Sequence, residues 1–296
     1  EITSKSFKTR AIRPIPFIPA DTEQDVFEQL AAIVARSKKM NGREQGGDLV
    51  GMLLKKRFMS SPLSFGRTLA AYLDTLSNGT SARTLSSSLL DDDDEVLRET
   101  FGSEQSDEEE GLQHHPEYLA LQLRKGTNPL VAASREDLSK LVDWGLSYEA
   151  RPDSRLEALI GFLDGICRPD GMWLNERVVV FTEYADTLAW IVDVLTARGY
   201  GSRLAAIQGS TDPEERELIR LRFVADPHDE PVRVLVATDS AGEGIDLQAH
   251  CHRLVNFDIP FNPSRLEQRI GRIDRYGQNQ TPEVFHFVPG KASTTY

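Results

Sequence analysis

From about Arg151 onward, short β-branched segments alternate with segments of helical periodicity. Apolar runs of about four to eight residues predict buried strands, and amphipathic stretches between them predict helices. This alternation is typical of βαβ units, so we expect an α/β fold with a parallel sheet and helices on both faces. The predicted strands are 177–182, 203–207, 232–237, 253–257 and 284–288, and the predicted helices are 155–166, 185–198, 211–224 and 263–275.

The first half of the chain has a different pattern, which is mainly helical. Segments 21–37, 48–58, 62–76 and 136–146 carry apolar residues at helical spacing, with Asp21 as a predicted N-cap. Prolines 14, 16 and 19 predict an extended lead-in ahead of them. We therefore expect two domains, a mainly helical region over 1–150 and an α/β domain over 151–296.

The charge of the chain is concentrated in one segment. The 296 residues carry a net charge of −12, but residues 91–110 contain eleven acids against one base. That segment alone carries −10, so the rest of the chain is close to neutral and a basic groove for nucleic acid is compatible with the total. The stretch 86–111 is acidic and poor in aromatic residues, which predicts a mobile surface insertion.

Several classes of protein are disfavoured by the sequence. No apolar run approaches the ~20 residues of a membrane span, and no secretion signal precedes the first helix. Cys167 and Cys251 have no C-x-x-C spacing, which argues against a disulfide framework and a zinc site. A cytoplasmic location fits best, and a membrane partner is not expected. Because the chain begins at Glu1, we expect it to be a piece of a longer polypeptide.

The segment after the third long strand is the first candidate site. Thr238–Asp246 combines glycines with hydroxyls and carboxylates, and glycine lets backbone approach a phosphate or a sugar closely. An ordinary glycine-rich turn is the alternative. The dinucleotide fingerprint G-x-G-x-x-G fails, because its last position is Leu247.

The predicted helix after Asn262-Pro263 is the second candidate. Leu266, Ile270 and Ile273 fall on one face, while Gln268, Arg272 and Arg275 fall together on the opposite face. Two guanidinium groups on one side, near the loop 238–246, could hold a triphosphate. A solvated face with two surface arginines is the alternative.

These residues resemble the motifs of superfamily 2 helicases. Gln268–Arg275 reads Q-R-I-G-R-I-D-R and resembles motif VI, Thr238–Gln248 resembles motif V, Val179–Tyr184 resembles motif IV, and Gln208–Thr211 with Glu215-Arg216 resembles the adjoining motif. Their order and spacing agree over about 140 residues. Within the superfamily, Leu254–Pro263 is most similar to Snf2-type ATPases, of the bacterial RapA (HepA)-like branch or the DrmD-like branch of phage-defence helicases.

The resemblance implies a RecA-like second helicase lobe. Neither a P-loop nor an Asp-Glu-x-His box occurs in the sequence, and in the family both belong to the first lobe. The chain alone is therefore expected to be inactive. The resemblance implies ATP with Mg²⁺ as the nucleotide, the Mg²⁺ ligands lying in the first RecA-like lobe of the same polypeptide. It also implies double-stranded DNA as the substrate, with RNA polymerase or phage-defence proteins as candidate partners.

Individual roles follow from the resemblance. Arg272 and Arg275 resemble arginine fingers. The residues that resemble nucleotide-binding positions are Gln268, Gly242, Glu243, Gly244 and Asp246. Those expected to contact nucleic-acid phosphates are Thr182, Gln208, Gly209, Ser210, Thr238 and Ser240.

Two other functions stay open at this stage. One is a strand-separating helicase acting on DNA or RNA. The other is a non-enzymatic lobe that binds nucleic acid or a partner. A metal site at His250-Cys251-His252 is disfavoured, because successive residues of a strand point to opposite faces, which separates Cys251 from the two histidines, and no fourth ligand is near.

Overall fold

The computed structural model describes residues 9–40, 49–78, 130–239, 245–260 and 262–290. The predicted acidic insertion at 86–111 lies outside these ranges. The chain divides into two compact units. One comprises 1–17, 156–183 and 191–288, and the other comprises 18–155, 184–190 and 289–296. Within the described ranges, none of the helices combines the length and the hydropathy that a membrane crossing requires.

The first unit is built on a six-stranded sheet. Its strands are β1 (Ala11–Phe17), β2 (Val178–Thr182), β3 (Leu204–Ile207), β4 (Val234–Thr238), β5 (Arg253–Asn256) and β6 (Glu283–Pro289), in the order β1-β6-β5-β2-β4-β3. β2 pairs in parallel with β4 and β5, β3 pairs in parallel with β4, and β5 pairs in parallel with β6. The predicted α/β class with a parallel sheet is confirmed.

Strand β1 was predicted only as an extended lead-in. It lies at the edge of the sheet beside β6, and the Ala11 amide donates to the Pro282 carbonyl at 2.8 Å. Ile15 and Phe17 are buried, and the Phe17 ring meets the Phe287 ring edge-on at 6.2 Å. Alternate apolar burial along a proline-containing segment therefore makes an edge strand here.

Eight α-helices are assigned in the described part of the chain. They are α1 (Asp21–Met40), α2 (Leu49–Ser60), α3 (Pro62–Asn78), α4 (Arg135–Leu146), α5 (Ser154–Cys167), α6 (Ala185–Leu195), α7 (Pro213–Val224) and α8 (Pro263–Ile270). Each corresponds to a helix predicted from periodicity. α6 ends at Leu195 rather than Arg198, and the wide turn that follows contains Gly199 at φ +87°. The N-cap of α7 is Asp212, whose carboxylate accepts from the Glu214 amide at 2.9 Å.

Helix α8 is shorter than the predicted 263–275. The amides of Arg272 and Ile273 donate to carbonyls three residues earlier, which is the tighter pattern of turns. The Arg272 carbonyl accepts from the Leu247 amide at 3.0 Å, so it takes part in no further helical turn. The prediction was wrong by five residues, because a contact from the neighbouring loop ends the helix and helical periodicity carries no sign of it.

The helical unit packs around a continuous apolar core. It includes Leu30, Ile33, Leu54, Phe58, Phe65, Leu69, Tyr72, Leu138 and Leu141, contributed by α1 to α4. Helices α3 and α4 approach each other through two glycines. A Cβ built on Gly145 would lie 2.7 Å from the Gly66 Cα and 2.7 Å from the Pro62 carbonyl oxygen. This contact leaves no room for a side chain.

Gly145→Ala is therefore expected to destabilise the helical unit by about 1–3 kcal/mol, because the added methyl group meets backbone on both sides. Gly161→Ala in α5 is the matched control. A Cβ there meets nothing within 4 Å, so alanine should be neutral or slightly stabilising. Urea denaturation followed by circular dichroism measures both. Equal midpoints for the two variants would contradict the close approach.

Candidate functional site at the carboxyl edge of the sheet

Polar residues end three neighbouring strands of the sheet. Thr182 at the end of β2 lies in register with Thr238 at the end of β4, and Asn256 ends β5 on the other side of β2. Asp239 follows β4 directly, and Asp258 follows β5 by two residues. The carboxyl edge of a parallel sheet is where α/β proteins bind ligands, so this edge is the candidate site.

Arg269 on α8 connects two of these strand ends. Its guanidinium forms a bidentate ion pair with Asp239, in which the Nη2–Oδ2 distance is 2.7 Å. Nη1 donates to Asn256 Oδ1 at 3.1 Å and to the Asp258 carbonyl at 2.8 Å. The side chain is only 2% exposed. We call Arg269, Asp239, Asn256 and Asp258 the Arg269 network.

The third strand joins this network through Asp258. One carboxylate oxygen accepts from the Thr182 hydroxyl at 2.6 Å, and the other accepts from the Glu183 amide at 2.9 Å. Thr182 is completely buried. The ends of β2, β4 and β5 and the helix α8 are thus held together by charge-assisted hydrogen bonds, which are stronger than neutral ones.

The electrostatics keep Arg269 charged. Burial would lower its pKa, but Asp239 raises it through charge and hydrogen bonding, and Asp258 and Glu183 add to that effect. The net result is a pKa above the ordinary arginine value. Nearby His286 is in the opposite situation, since burial and the positive charge of Arg269 both lower its pKa. At this point the edge of the sheet therefore holds a permanent cation beside a histidine that favours the neutral form.

Sequence reasoning assigned no role to Arg269. A signal was present, because positions 266, 269, 270 and 273 share one helical face, so this arginine falls on the apolar side of α8. An arginine on a buried face requires carboxylate or carbonyl partners. Asp239 and Asp258, which follow strands, were the available candidates.

The two finger candidates lie just beyond α8. Arg272 is half-buried and Arg275 is exposed, and both occupy turns rather than the predicted helix. Arg275 Nη1 contacts the Asp246 carboxylate, so a predicted finger and a predicted nucleotide-binding residue lie together. Gln268 is exposed on the last turn of α8.

The predicted nucleic-acid residues fall into three groups. The turn between β3 and α7 contains Gln208, Gly209 and Ser210. Within it the side-chain amide of Gln208 donates to the Ser210 hydroxyl at 2.9 Å. Thr182 and Thr238 are buried at their strand ends. The third group is Ser240, which lies outside the described ranges, as do the predicted nucleotide-binding residues Gly242, Glu243 and Gly244.

Cys251 lies away from the carboxyl edge, at the start of β5. It is buried, which raises the pKa of its thiol to about 12. Across the residues that the structure describes, no three histidine, cysteine, aspartate or glutamate side chains gather as metal ligands.

Comparison with known families identifies this unit. Residues 168–277 match the helicase conserved C-terminal domain, a range that includes β2 to β5, α8 and both finger candidates. This part of the chain is a helicase C-terminal domain. The resemblance that the motifs predicted is therefore confirmed, and the helicase lobe includes the whole Arg269 network.

Two curated relatives match part of the chain. The uncharacterized ATP-dependent helicase YqhH of Bacillus subtilis is 34% identical over 115 residues, which is 39% of this chain and 19% of the relative. The RNA polymerase-associated protein RapA of Proteus mirabilis is 36% identical over 132 residues, which is 45% of this chain and 12% of the relative. The chain thus matches less than a fifth of the length of either relative.

A solved structure supports the fold over most of the chain. The C-terminal part of the Fun30 ATPase domain is similar over 97% of this chain and 87% of its own length, with a TM-score of 0.57 and 14% identity. This likeness extends across both the helicase lobe and the helical unit. It confirms the predicted arrangement of a RecA-like α/β fold accompanied by a mainly helical region.

Proposed function

We propose that the chain is the second motor lobe of an ATP-dependent double-stranded DNA translocase of the Snf2 type. The observation that carries this proposal is the anchoring of α8 to two strand ends by Arg269. Arg272 and Arg275 follow that anchored helix directly, so their backbone starts from a fixed point at the ligand-binding edge. Arginine fingers depend on such placement, since they act by position and charge.

The finger candidates have the chemistry that a triphosphate requires. Arg275 is about half exposed and already holds one carboxylate, that of Asp246. A triphosphate carries more charge than a carboxylate and can accept two hydrogen bonds from one guanidinium. It would therefore compete with Asp246 for the guanidinium of Arg275. In the complete motor, ATP with Mg²⁺ would lie between this lobe and an N-terminal RecA-like lobe of the same polypeptide, which would supply the Mg²⁺ ligands. The chain alone is proposed to be inactive.

The remaining nucleotide contacts are proposed to come from residues 242–246 and from α8. Asp246 is proposed to exchange its contact with Arg275 for the ribose when the nucleotide binds. Gln268 is exposed next to Arg269 and is free to reach the nucleotide. Gly242, Glu243 and Gly244 complete this set by their place in motif V.

DNA is proposed to lie along the turn before α7 and the end of β4. Gln208, Gly209 and Ser210 precede the N-terminus of α7, where backbone amides and hydroxyls suit phosphate groups. Thr238 ends the neighbouring strand β4, and Ser240 is included by its place in motif V. Thr182 has a different role in our proposal, because its hydroxyl is already donated to Asp258. Thr182 is proposed to hold Asp258 in the Arg269 network and not to contact a phosphate.

The test is ATP hydrolysis by the complete parent polypeptide with duplex DNA, single-stranded DNA or RNA. We expect duplex DNA to stimulate turnover most, and a triplex-displacement assay to report movement along it. Stimulation by single strands only, with unwinding activity, would replace this proposal with a strand-separating helicase. No turnover with any nucleic acid would favour a non-enzymatic binding lobe.

The partners and the cellular location are proposed from the relatives of the chain. RapA relatives are named as RNA polymerase-associated, so RNA polymerase is one candidate partner, and phage-defence proteins are the other. We propose a cytoplasmic location and no membrane partner. Co-purification of the parent polypeptide with RNA polymerase distinguishes the two partner classes.

A further inference from the structure

An ion pair joins the residue that precedes strand β1 to helix α8. Arg10 Nη1 and Nη2 donate to the two carboxylate oxygens of Glu267 at 2.7 and 2.8 Å. The contact is bidentate, the geometry in which a guanidinium and a carboxylate interact most strongly. Arg10 lies outside the segment 168–277 that matches the helicase C-terminal domain.

The Arg10 end of the pair is fixed by β1. Arg10 immediately precedes Ala11, whose amide donates to the Pro282 carbonyl at 2.8 Å. Further along the strand, Ile15 and Phe17 are buried. Arg10 is therefore held at the start of an ordered edge strand, and its side chain reaches α8 from that base.

The Glu267 end lies on the outer side of the finger-bearing helix. α8 has only eight residues, too few for a helix to be stable on its own. Its inner side is held by Arg269, which is buried, whereas Glu267 is exposed. The Glu267 carbonyl also accepts from the Gly271 amide at 2.9 Å, at the point where the chain leaves the helix toward Arg272.

The ionisation of both groups agrees with a formed pair. The hydrogen bond to Glu267 raises the pKa of Arg10, and the hydrogen bond to Arg10 lowers the pKa of Glu267. Both groups are charged near neutral pH.

We propose that Arg10 is a positioning residue for the arginine fingers, which clamps α8 from the outside through Glu267 while Arg269 holds it from the inside. The catalytic part of this inference rests on the proposed function. It predicts that a strand outside the matched helicase domain contributes to ATP turnover without touching nucleotide.

The activity test compares two arginines of the same strand in the parent polypeptide. Arg10→Ala is expected to lower kcat for ATP by about two- to fivefold with little change in KM, as suits the loss of one partly exposed pair. Arg13→Ala is the control, since Arg13 pairs with Glu283 at 3.0 Å and not with α8. The charge-exchanged double variant Arg10→Glu with Glu267→Arg should recover most of the lost kcat. Equal effects of Arg10→Ala and Arg13→Ala, or a double variant no better than the single ones, would overturn the proposal.

A second measurement needs no ATP turnover. Amide hydrogen exchange over 264–274 in the parent polypeptide should be about two- to fivefold faster in Arg10→Ala than in the unaltered protein, and unchanged in Arg13→Ala. If exchange is faster in Arg10→Ala but the parent protein hydrolyses no ATP, the proposed function is wrong while the contact between Arg10 and α8 still stabilises the helix. Unchanged exchange in both variants would refute the clamp itself.

Discussion

Arg272→Ala in the complete parent polypeptide is expected to reduce the rate of ATP hydrolysis at saturating ATP and duplex DNA by about 10³- to 10⁵-fold. That is the range over which an arginine finger stabilises the charge of a phosphoryl-transfer transition state. The loss should appear in kcat, because the interaction is made mainly in the transition state rather than with bound ATP. Steady-state phosphate release measures it.

Two further variants sharpen this prediction. Arg272→Lys keeps the charge but loses the planar fork, so we expect only partial recovery. Arg198→Ala removes a surface arginine that pairs with Glu157 at 2.6 Å, and its rate should stay within about twofold of the unaltered protein. A loss of less than tenfold in Arg272→Ala would reject the finger assignment and direct attention to Arg275.

The second large effect is expected in stability. Arg269→Ala should lower the free energy of unfolding of the helicase lobe by about 3–5 kcal/mol, because it leaves the carboxylate of Asp239 buried without its main partner. Three carbonyl or carboxylate groups lose a donor in the same step. Chemical denaturation of this chain, followed by fluorescence of the tryptophans, gives the value.

A double variant tests whether the cost comes from uncompensated charge. Arg269→Met combined with Asp239→Leu should cost less than Arg269→Met alone, since both charges leave together. Arg198→Ala again serves as the exposed control and should change stability by less than about 1 kcal/mol. A loss below about 1 kcal/mol in Arg269→Ala would mean that water or another donor satisfies Asp239.

The elements of the fold were largely predictable because their signals are local. β2 and β4 are apolar up to a final threonine and are buried along their whole length, and such runs stand out in a sequence. The end of α8 was not predictable from periodicity. It depends on a hydrogen bond from Leu247, which lies 25 residues earlier than its Arg272 acceptor.

The candidate site shows the same division. Motif spacing pointed to Arg272, Arg275 and Asp246, and the structure places Arg275 against Asp246. The same spacing could not tell which polar residues face inward. Thr182 was expected to meet a phosphate, yet its hydroxyl is donated to Asp258, 76 positions away in the sequence. Side-chain partners across a sheet depend on strand order, which no local pattern encodes.

The two prolines inside β1 also limit the pairing of a further strand with this edge of the sheet. Backbone amides alternate in direction along a strand, and that of Ala11 donates toward β6, so positions 12, 14 and 16 face away from the sheet. Pro14 and Pro16 have no N–H to offer there. A strand from another molecule would find only one outward donor, at Ile12, and could not form a regular ladder. The strand that completes the sheet on this side thereby also disfavours pairing with another molecule along its own edge.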